Sequence, residues 1–207
     1  RVARVLRQPR GHVMLVGLGG SGKKSIAKMG AILAGSEVKM IETKKNYQKK
    51  QFREDMVQFF FLAAGKEGRP TTFLFPDTSI IEEDFLEDIN NLLNSGEIPN
   101  IFTKEDKDRI VIEMQEVMKA KGVIAEPYLF FIERVRSNFH VALAMSPVGD
   151  KLRNRMRMFP SLVNCCTINW VKPWPHDALL SVARMFLENI HHEAINPAVR
   201  EKLAEIC

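Results

Sequence analysis

The chain has 207 residues, 45% of them hydrophobic and 27% charged, with 30 Lys plus Arg against 25 Asp plus Glu. At roughly 150 residues per domain, that length predicts one large domain with at most a small appendage. The composition excludes a disordered chain, a collagen and a coiled-coil rod. The formal charge of +5 permits an anionic ligand, and neither nucleic acid nor membrane is expected as a partner. No apolar run approaches the roughly 20 residues that span a bilayer.

The chain opens without Met and stops inside a helical pattern, so it reads as a piece of a longer protein. Cys165 and Cys166 are adjacent and Cys207 is terminal. That spacing suggests no metal site, and reduced thiols are expected.

Short apolar runs alternate with longer helical ones along the chain. Residues 12–17 form an apolar run ending in glycine, which predicts a buried strand entering a tight turn. Residues 23–34 predict a helix with Ile26, Met29, Ile32 and Leu33 on one face. A second strand is expected at 37–41. The stretch 48–64 is helical in length and places Phe52, Met56, Phe59 and Phe60 toward a core. A third strand at 71–75 is closed by Pro76.

Two acidic helices, 83–94 and 104–121, flank the turn-rich segment 95–102, and 126–137 predicts another helix. A fourth strand at 139–145 stops at Ser146-Pro147, and His140 reads as a strand-edge histidine. A helix at 151–158 precedes a fifth strand at 166–170. Pro173 and Pro175 mark a linker, because neither fits a central strand. Helices at 176–191 and 197–206 are then expected, with His191 and His192 exposed. Strands alternating with helices imply a parallel sheet covered on both faces, and ligands in such sheets sit beyond the C-terminal strand ends.

Gly17-Leu18-Gly19-Gly20-Ser21-Gly22-Lys23 fits the GxxxxGK core of a phosphate-binding loop and lies between a predicted strand and helix. Glycines let successive N–H groups face phosphate oxygens, and the start of the following helix adds positive potential. Lys23 would place its ammonium on the outer phosphates. The next residue of the full pattern supplies a hydroxyl to Mg²⁺, but here it is Lys24, which has no lone pair to offer while protonated. Ser25 lies one position on, turned by about 100° around the helix, so Mg²⁺ is doubtful although ATP or ADP is expected.

Asp77, at the end of the third strand, is the candidate for holding Mg²⁺ through water. A hydrolase of this type follows that acid with Glu, and here Thr78 stands instead. Losing a general base costs about 10²–10⁴-fold in rate, so weak or absent hydrolysis is expected unless Glu82 or Glu83 substitutes. Three basic clusters accompany these features: Arg1, Arg4, Arg7 and Arg10; Lys44, Lys45, Lys49, Lys50 and Arg53; and Lys151, Arg153, Arg155 and Arg157. A solvated helix face accounts for the second.

Residues 85–100 (FLEDINNLLNSGEIPN), 139–149 (FHVALAMSPVG) and 153–170 (RNRMRMFPSLVNCCTINW), with the glycine loop and Pro173-Trp174-Pro175, resemble the fourth AAA+ module of axonemal dynein heavy chains. The resemblance runs from residue 1 to about 187. It implies a P-loop AAA+ three-layer α/β sandwich with a five-stranded parallel sheet over 1–171, followed by the start of a small helical subdomain at 172–207. It further implies a place in a six-module motor ring, next to a stalk that binds microtubules. Neighbouring modules of the same heavy chain, dynein intermediate and light chains, and a location in the cytoskeleton of the cilium axoneme follow as expectations.

Ser146 corresponds to the polar sensor position in the resemblance, although a strand-end cap would also use it. Related modules carry a trans-acting Arg where this chain has Cys165, and Arg153, Arg155 or Arg157 could stand in or form a structural face. The segment 94–102 resembles the family's contact loop. The reading is a nucleotide-binding regulatory module of a ciliary motor with weak hydrolysis; the alternative is a structural module with an empty site.

Overall fold

The computed structural model describes residues 1–42, 46–188 and 202–203. Five strands pair in parallel in the order β2-β3-β4-β1-β5: β1 His12–Val16, β2 Glu37–Lys39, β3 Thr71–Pro76, β4 Phe139–Met145 and β5 Cys166–Trp170. Parallel neighbours need long crossovers, which is why helices separate them. These are α1 Val2–Leu6, α2 Lys23–Ala34, α3 Lys49–Ala64, α4 Asp84–Ser95, α5 Lys104–Lys121, α6 Pro127–Asn138, α7 Lys151–Met158 and α8 Ser161–Asn164. The expected three-layer α/β sandwich with a five-stranded parallel sheet is what forms.

Residues Arg1–Val171 make one compact unit and Lys172–Cys207 a second. Within the second, α9 runs His176–Glu188 and buries none of its residues. The remainder of that predicted helix, nearly all of the helix predicted at 197–206, His191, His192, Cys207, Lys44 and Lys45 lie outside the described residues.

The sheet separates two apolar clusters of unequal thickness. On one face Met14, Val16, Phe73, Phe75, Val141, Leu143 and Met145 pack with Phe52, Phe60, Phe85 and Phe131. Phe52 stacks on Phe85 with centroids 4.6 Å apart, and Phe60 meets Phe139 edge-on at 5.1 Å, both favoured aromatic geometries. The predicted core role of α3 holds for Phe52, Met56 and Phe60, while Phe59 is partly buried. On the other face Val13, Leu15, Leu74, Ala142 and Ala144 meet Val2, Leu6, Ala27 and Ala31.

That second face corrects the reading of α2. The expected apolar stripe turns outward: Met29 is 64% exposed, Ile32 70% and Leu33 60%, with Ile26 at 39%. The buried side is the small one, Ala27, Gly30 and Ala31. Gly30 explains the choice, because a Cβ there would sit 2.5 Å from Val2 Cγ1. Small residues let α1 and the alanine-bearing face of β4 approach closely, and only α2's small stripe permits that distance.

Two further readings change. Pro76 ends β3 inside the ladder, opposite Ala144, rather than just beyond it. His140 is no edge residue: it is buried in β4, the strand between β3 and β1. Its Nδ1 lies 2.9 Å from Gly11 O. Within the second basic cluster, Lys49 and Arg53 are paired rather than only solvated. Arg53 donates from Nε and a terminal nitrogen to the Asp88 carboxylate at 2.8 and 2.7 Å, and Asp88 is 1% exposed. Lys49 reaches Asp84 at 2.9 Å.

Arg53→Met leaves a buried carboxylate without its partner and should cost on the order of 3 kcal/mol in urea unfolding. The double change Arg53→Met/Asp88→Leu should recover most of that loss, since the pair's own desolvation is then avoided.

His12 supplies a pH prediction. Its Nδ1 accepts the Val141 N–H at 3.0 Å. Burial first, and the neighbouring His140 second, push its pKa down from 6.5 to about 4. Burial also lowers His140. The unfolded chain therefore binds more protons between pH 6.5 and 4, so stability is complete above about 6.5 and falls as pH drops through that window. His12 alone contributes up to about 3 kcal/mol of this loss. His12→Asn, which keeps an acceptor, should flatten the difference between urea midpoints at pH 7 and pH 4.5.

Candidate functional site

Three neighbouring strands end side by side on the C-terminal edge of the sheet, where parallel folds place ligands. β1 leads into the glycine loop, β4 into Ser146 and β3 into Asp77. The Gly17 N–H donates to Met145 O at 3.2 Å, so the loop begins as a continuation of the β1–β4 ladder. A Cβ at residue 17 would stand 2.6 Å from Val171 O and 2.9 Å from Ser21 Oγ, which only glycine avoids.

The loop then turns through left-handed backbone at Gly20 (φ 74°) and Gly22 (φ 82°). Gly22 is the residue before α2, and no side chain caps that helix start. The first N–H groups of a helix have no intrahelical partner, and they carry its positive end. Space is open above the turn, since added Cβ atoms at Gly19 and Gly20 would meet nothing within 4 Å. The Lys23 ammonium folds over the loop and donates to Gly17 O at 2.7 Å and Leu18 O at 2.6 Å, with Ser21 Oγ at 3.5 Å. Ser21 is buried and its Oγ donates to Leu18 O at 2.8 Å. These features suit phosphate oxygens: uncovered N–H groups, a cation at the mouth, and no side chain in the way.

The metal side of the site is thinner. Lys24 and Ser25 are both exposed on the first turn of α2. Asp77 opens a short 3₁₀ turn directly after β3. Its Oδ2 accepts the Ser146 N–H at 3.0 Å, leaving Oδ1 available. Among the described residues no group of three His, Cys, Asp or Glu side chains could hold a metal unaided. Mg²⁺ commonly relies on one or two carboxylates plus phosphate oxygens and water, so Asp77 fits as a single ligand donor and no more.

Asp77 and Ser146 also border a cavity of about 240 Å³, with Thr78, Lys151 and Arg155. Ser146 Oγ accepts from Val148 N–H at 3.4 Å, so its hydroxyl turns into its own loop. Glu83, a candidate substitute base, is engaged: Arg155 donates to both carboxylate oxygens, at 2.8 Å to Oε1 and 3.2 Å to Oε2. Arg155 is buried in this pair, whereas Arg153 and Arg157 are exposed. The third basic cluster is therefore split. Arg153 approaches Asp150 at 3.8 Å on the surface. Cys165 does not join this edge; it follows α8 and stands immediately before β5, at the opposite end of the sheet.

Sequence reasoning missed Lys151 as a lining residue and the Glu83–Arg155 pair. These two partners are 72 positions apart. No local spacing could have joined them.

A family described as the P-loop containing dynein motor region D4 matches residues 1–207. The chain is 44% identical over its full length to human dynein axonemal heavy chain 6, of which it spans 5%. It is 45% identical over its full length to mouse dynein axonemal heavy chain 1, again covering 5% of that protein. Over 92% of the chain it is 48% identical to the Chlamydomonas reinhardtii dynein-1-beta heavy chain of the flagellar inner arm I1 complex, covering 4% of it. The chain thus spans about a twentieth of the heavy chains it matches. With a glycine loop between β1 and α2 and an acid at the end of β3, it belongs to the P-loop dynein motor D4 family.

Proposed function

We propose that this chain is a nucleotide-binding regulatory AAA+ module of a microtubule-based ciliary dynein motor, binding ATP or ADP with weak or absent hydrolysis. The observation that carries this reading is the contrast around one loop. The glycines and Lys23 are arranged to meet phosphates, while Lys24 and Thr78 occupy the positions that would complete the metal shell and activate water. The role follows from differential affinity: a bound nucleotide shifts a motor ring between states only as far as it binds one of them more tightly.

On this reading residues 1–171 are the large nucleotide-binding subdomain and 172–207 the start of a small helical one. The partners are neighbouring modules of the same heavy chain, microtubules reached through the stalk, and intermediate and light chains of the complex. The location is the cytoskeleton of the cilium axoneme, as the names of the axonemal relatives suggest. Ser146 would act as a sensor whose N–H, bonded to Asp77, links the ends of β4 and β3.

One observation favours a second reading, a structural module whose site stays empty. The Lys23 ammonium already has two carbonyl partners, Gly17 O and Leu18 O, so the lysine is satisfied without a ligand.

Calorimetric titration with ADP and ATP separates the two. Micromolar binding is expected, weakened about 10–100-fold by Lys23→Ala, the range of one charge-assisted hydrogen bond. Absence of binding, both in this chain and in one extended through the next module of the ring, would support the structural reading instead.

The metal deficit generates its own prediction. Omitting Mg²⁺ should change ATP affinity little in this chain. Lys24→Thr supplies the missing hydroxyl, so it should make ATP affinity depend on Mg²⁺ by about tenfold in the same titration. Equal Mg²⁺ dependence before and after that change would contradict the assignment of the loop.

A further inference from the structure

At the end of the sheet opposite the glycine loop, roughly 15 Å away along β1, a second cavity of about 260 Å³ opens. It lies under the first residues of β1 and β4, between the last turns of α4 and α6. Arg10, His12, Asn94, Arg136 and Cys165 supply its polar lining, and no acidic side chain is among the described residues that line it.

His12 is buried, and its two ring nitrogens have different fates. Nδ1 accepts the Val141 N–H, which obliges the proton of the neutral ring to sit on Nε2. No described residue accepts from that Nε2–H. A buried donor without a partner costs about 1–3 kcal/mol, so an acceptor supplied from the cavity would relieve it.

The two arginines are held in place but not used up. Arg136 donates from Nε to Ser95 O at 2.8 Å, and its terminal nitrogens reach Ser95 O and Glu133. Arg10 reaches the same Glu133 at 3.4 Å, and its backbone N–H donates to Arg136 O at 2.9 Å. Two guanidinium groups therefore share one carboxylate, leaving one formal positive charge uncompensated within the trio. Of five N–H donors on each guanidinium, the described residues engage three on Arg136 and one on Arg10, leaving two and four. Arg10 also adopts φ 59°, a left-handed conformation that costs an L residue roughly 1–2 kcal/mol. Gly11 follows because a Cβ there would lie 1.9 Å from Val5 O.

We propose that this cavity is a second anion site, taking a small oxyanion of phosphate size between the His12 Nε2–H and the free N–H groups of Arg10 and Arg136. It is separate from the glycine loop in position and chemistry: one site uses backbone N–H groups and a lysine, the other side-chain donors alone. The cavity has the volume of several water molecules, enough for one such ion with part of its hydration.

Cys165 on the cavity wall provides a local reporter. Burial and the adjacent Cys165 raise the Cys166 thiol to about 12, so it stays protonated and slow to react. In a Lys23→Ala/Cys207→Ser background, which disables the glycine loop and removes the terminal thiol, Cys165 is alkylated with iodoacetamide at pH 8. Rates in inorganic phosphate and in chloride of matched ionic strength are compared by peptide mass spectrometry. Phosphate should slow alkylation at least threefold and saturably. Arg10→Gln should abolish the protection and Arg10→Lys, which keeps the charge, should retain part of it. Equal rates in the two salts, or protection unchanged by Arg10→Gln, would overturn the proposal and leave a water-filled cavity.

Discussion

The register of β4 is the constraint on which the rest depends. All seven of its residues are buried, and it pairs on one side with β1 and on the other with β3. Val16 stands opposite Met145, and Pro76 opposite Ala144. Just past these last pairs, the Gly17 N–H bonds Met145 O and the Ser146 N–H bonds Asp77. The candidate site is thus the ladder carried one step further. A slip of one residue would reverse every side chain on the strand. Val141, Leu143 and Met145 would then leave the aromatic cluster for the thin face, which has room only for Ala142 and Ala144. Hydrophobic fit therefore fixes where the polar groups meet. The same strand sets the other end of the sheet, where the Val141 N–H meets His12.

Much of this was legible in the sequence because it is local. The bounds of β4, β5, α2, α5 and α7 follow from apolar period and from Pro or Gly punctuation, each acting within a few residues. The glycine loop is legible for the same reason: its parts are contiguous, and its chemistry needs backbone and one lysine. Asp77 was reachable as the acid that closes an apolar strand, whereas Ser146 came only from the family resemblance; both fall on the C-terminal edge, where parallel sheets hold ligands.

The side of α2 was not legible, and the reason is steric. Its sequence carries two stripes, a large one with Met29 and Ile32 and a small one with Ala27, Gly30 and Ala31. Periodicity finds both, and hydropathy favours the larger. The sheet takes the smaller, because the alanines of β4 and the close approach of Val2 leave no room for more. His140 was misplaced for a related reason: strand order, not strand sequence, decides which strand is interior. The Glu83–Arg155 and Arg53–Asp88 pairs were hidden because a charge cluster reads alike whether it faces water or a partner on a distant helix.

The Glu83–Arg155 pair bears most directly on the proposed balance between binding and chemistry. Thr78 removes the acid from the position beside Asp77, so water activation would have to come from a carboxylate further along the turn. Glu83 is held there by a guanidinium that donates to both of its oxygens. To take a proton it would first have to give up a two-point ion pair with a buried arginine, which would then lose its partner. Breaking one side of a buried pair costs several kcal/mol, and even a few kcal/mol on a barrier is a factor of 10² or more in rate. The half-exposed position of Glu83 softens that cost without removing it. The same pair ties α7, which follows β4, to the turn after β3, and so braces the edge on which Asp77 and Ser146 stand. On the proposed reading, the contact that keeps the site poor at hydrolysis is also one that keeps its shape, and a module that holds nucleotide to bias a ring needs the second property more than the first.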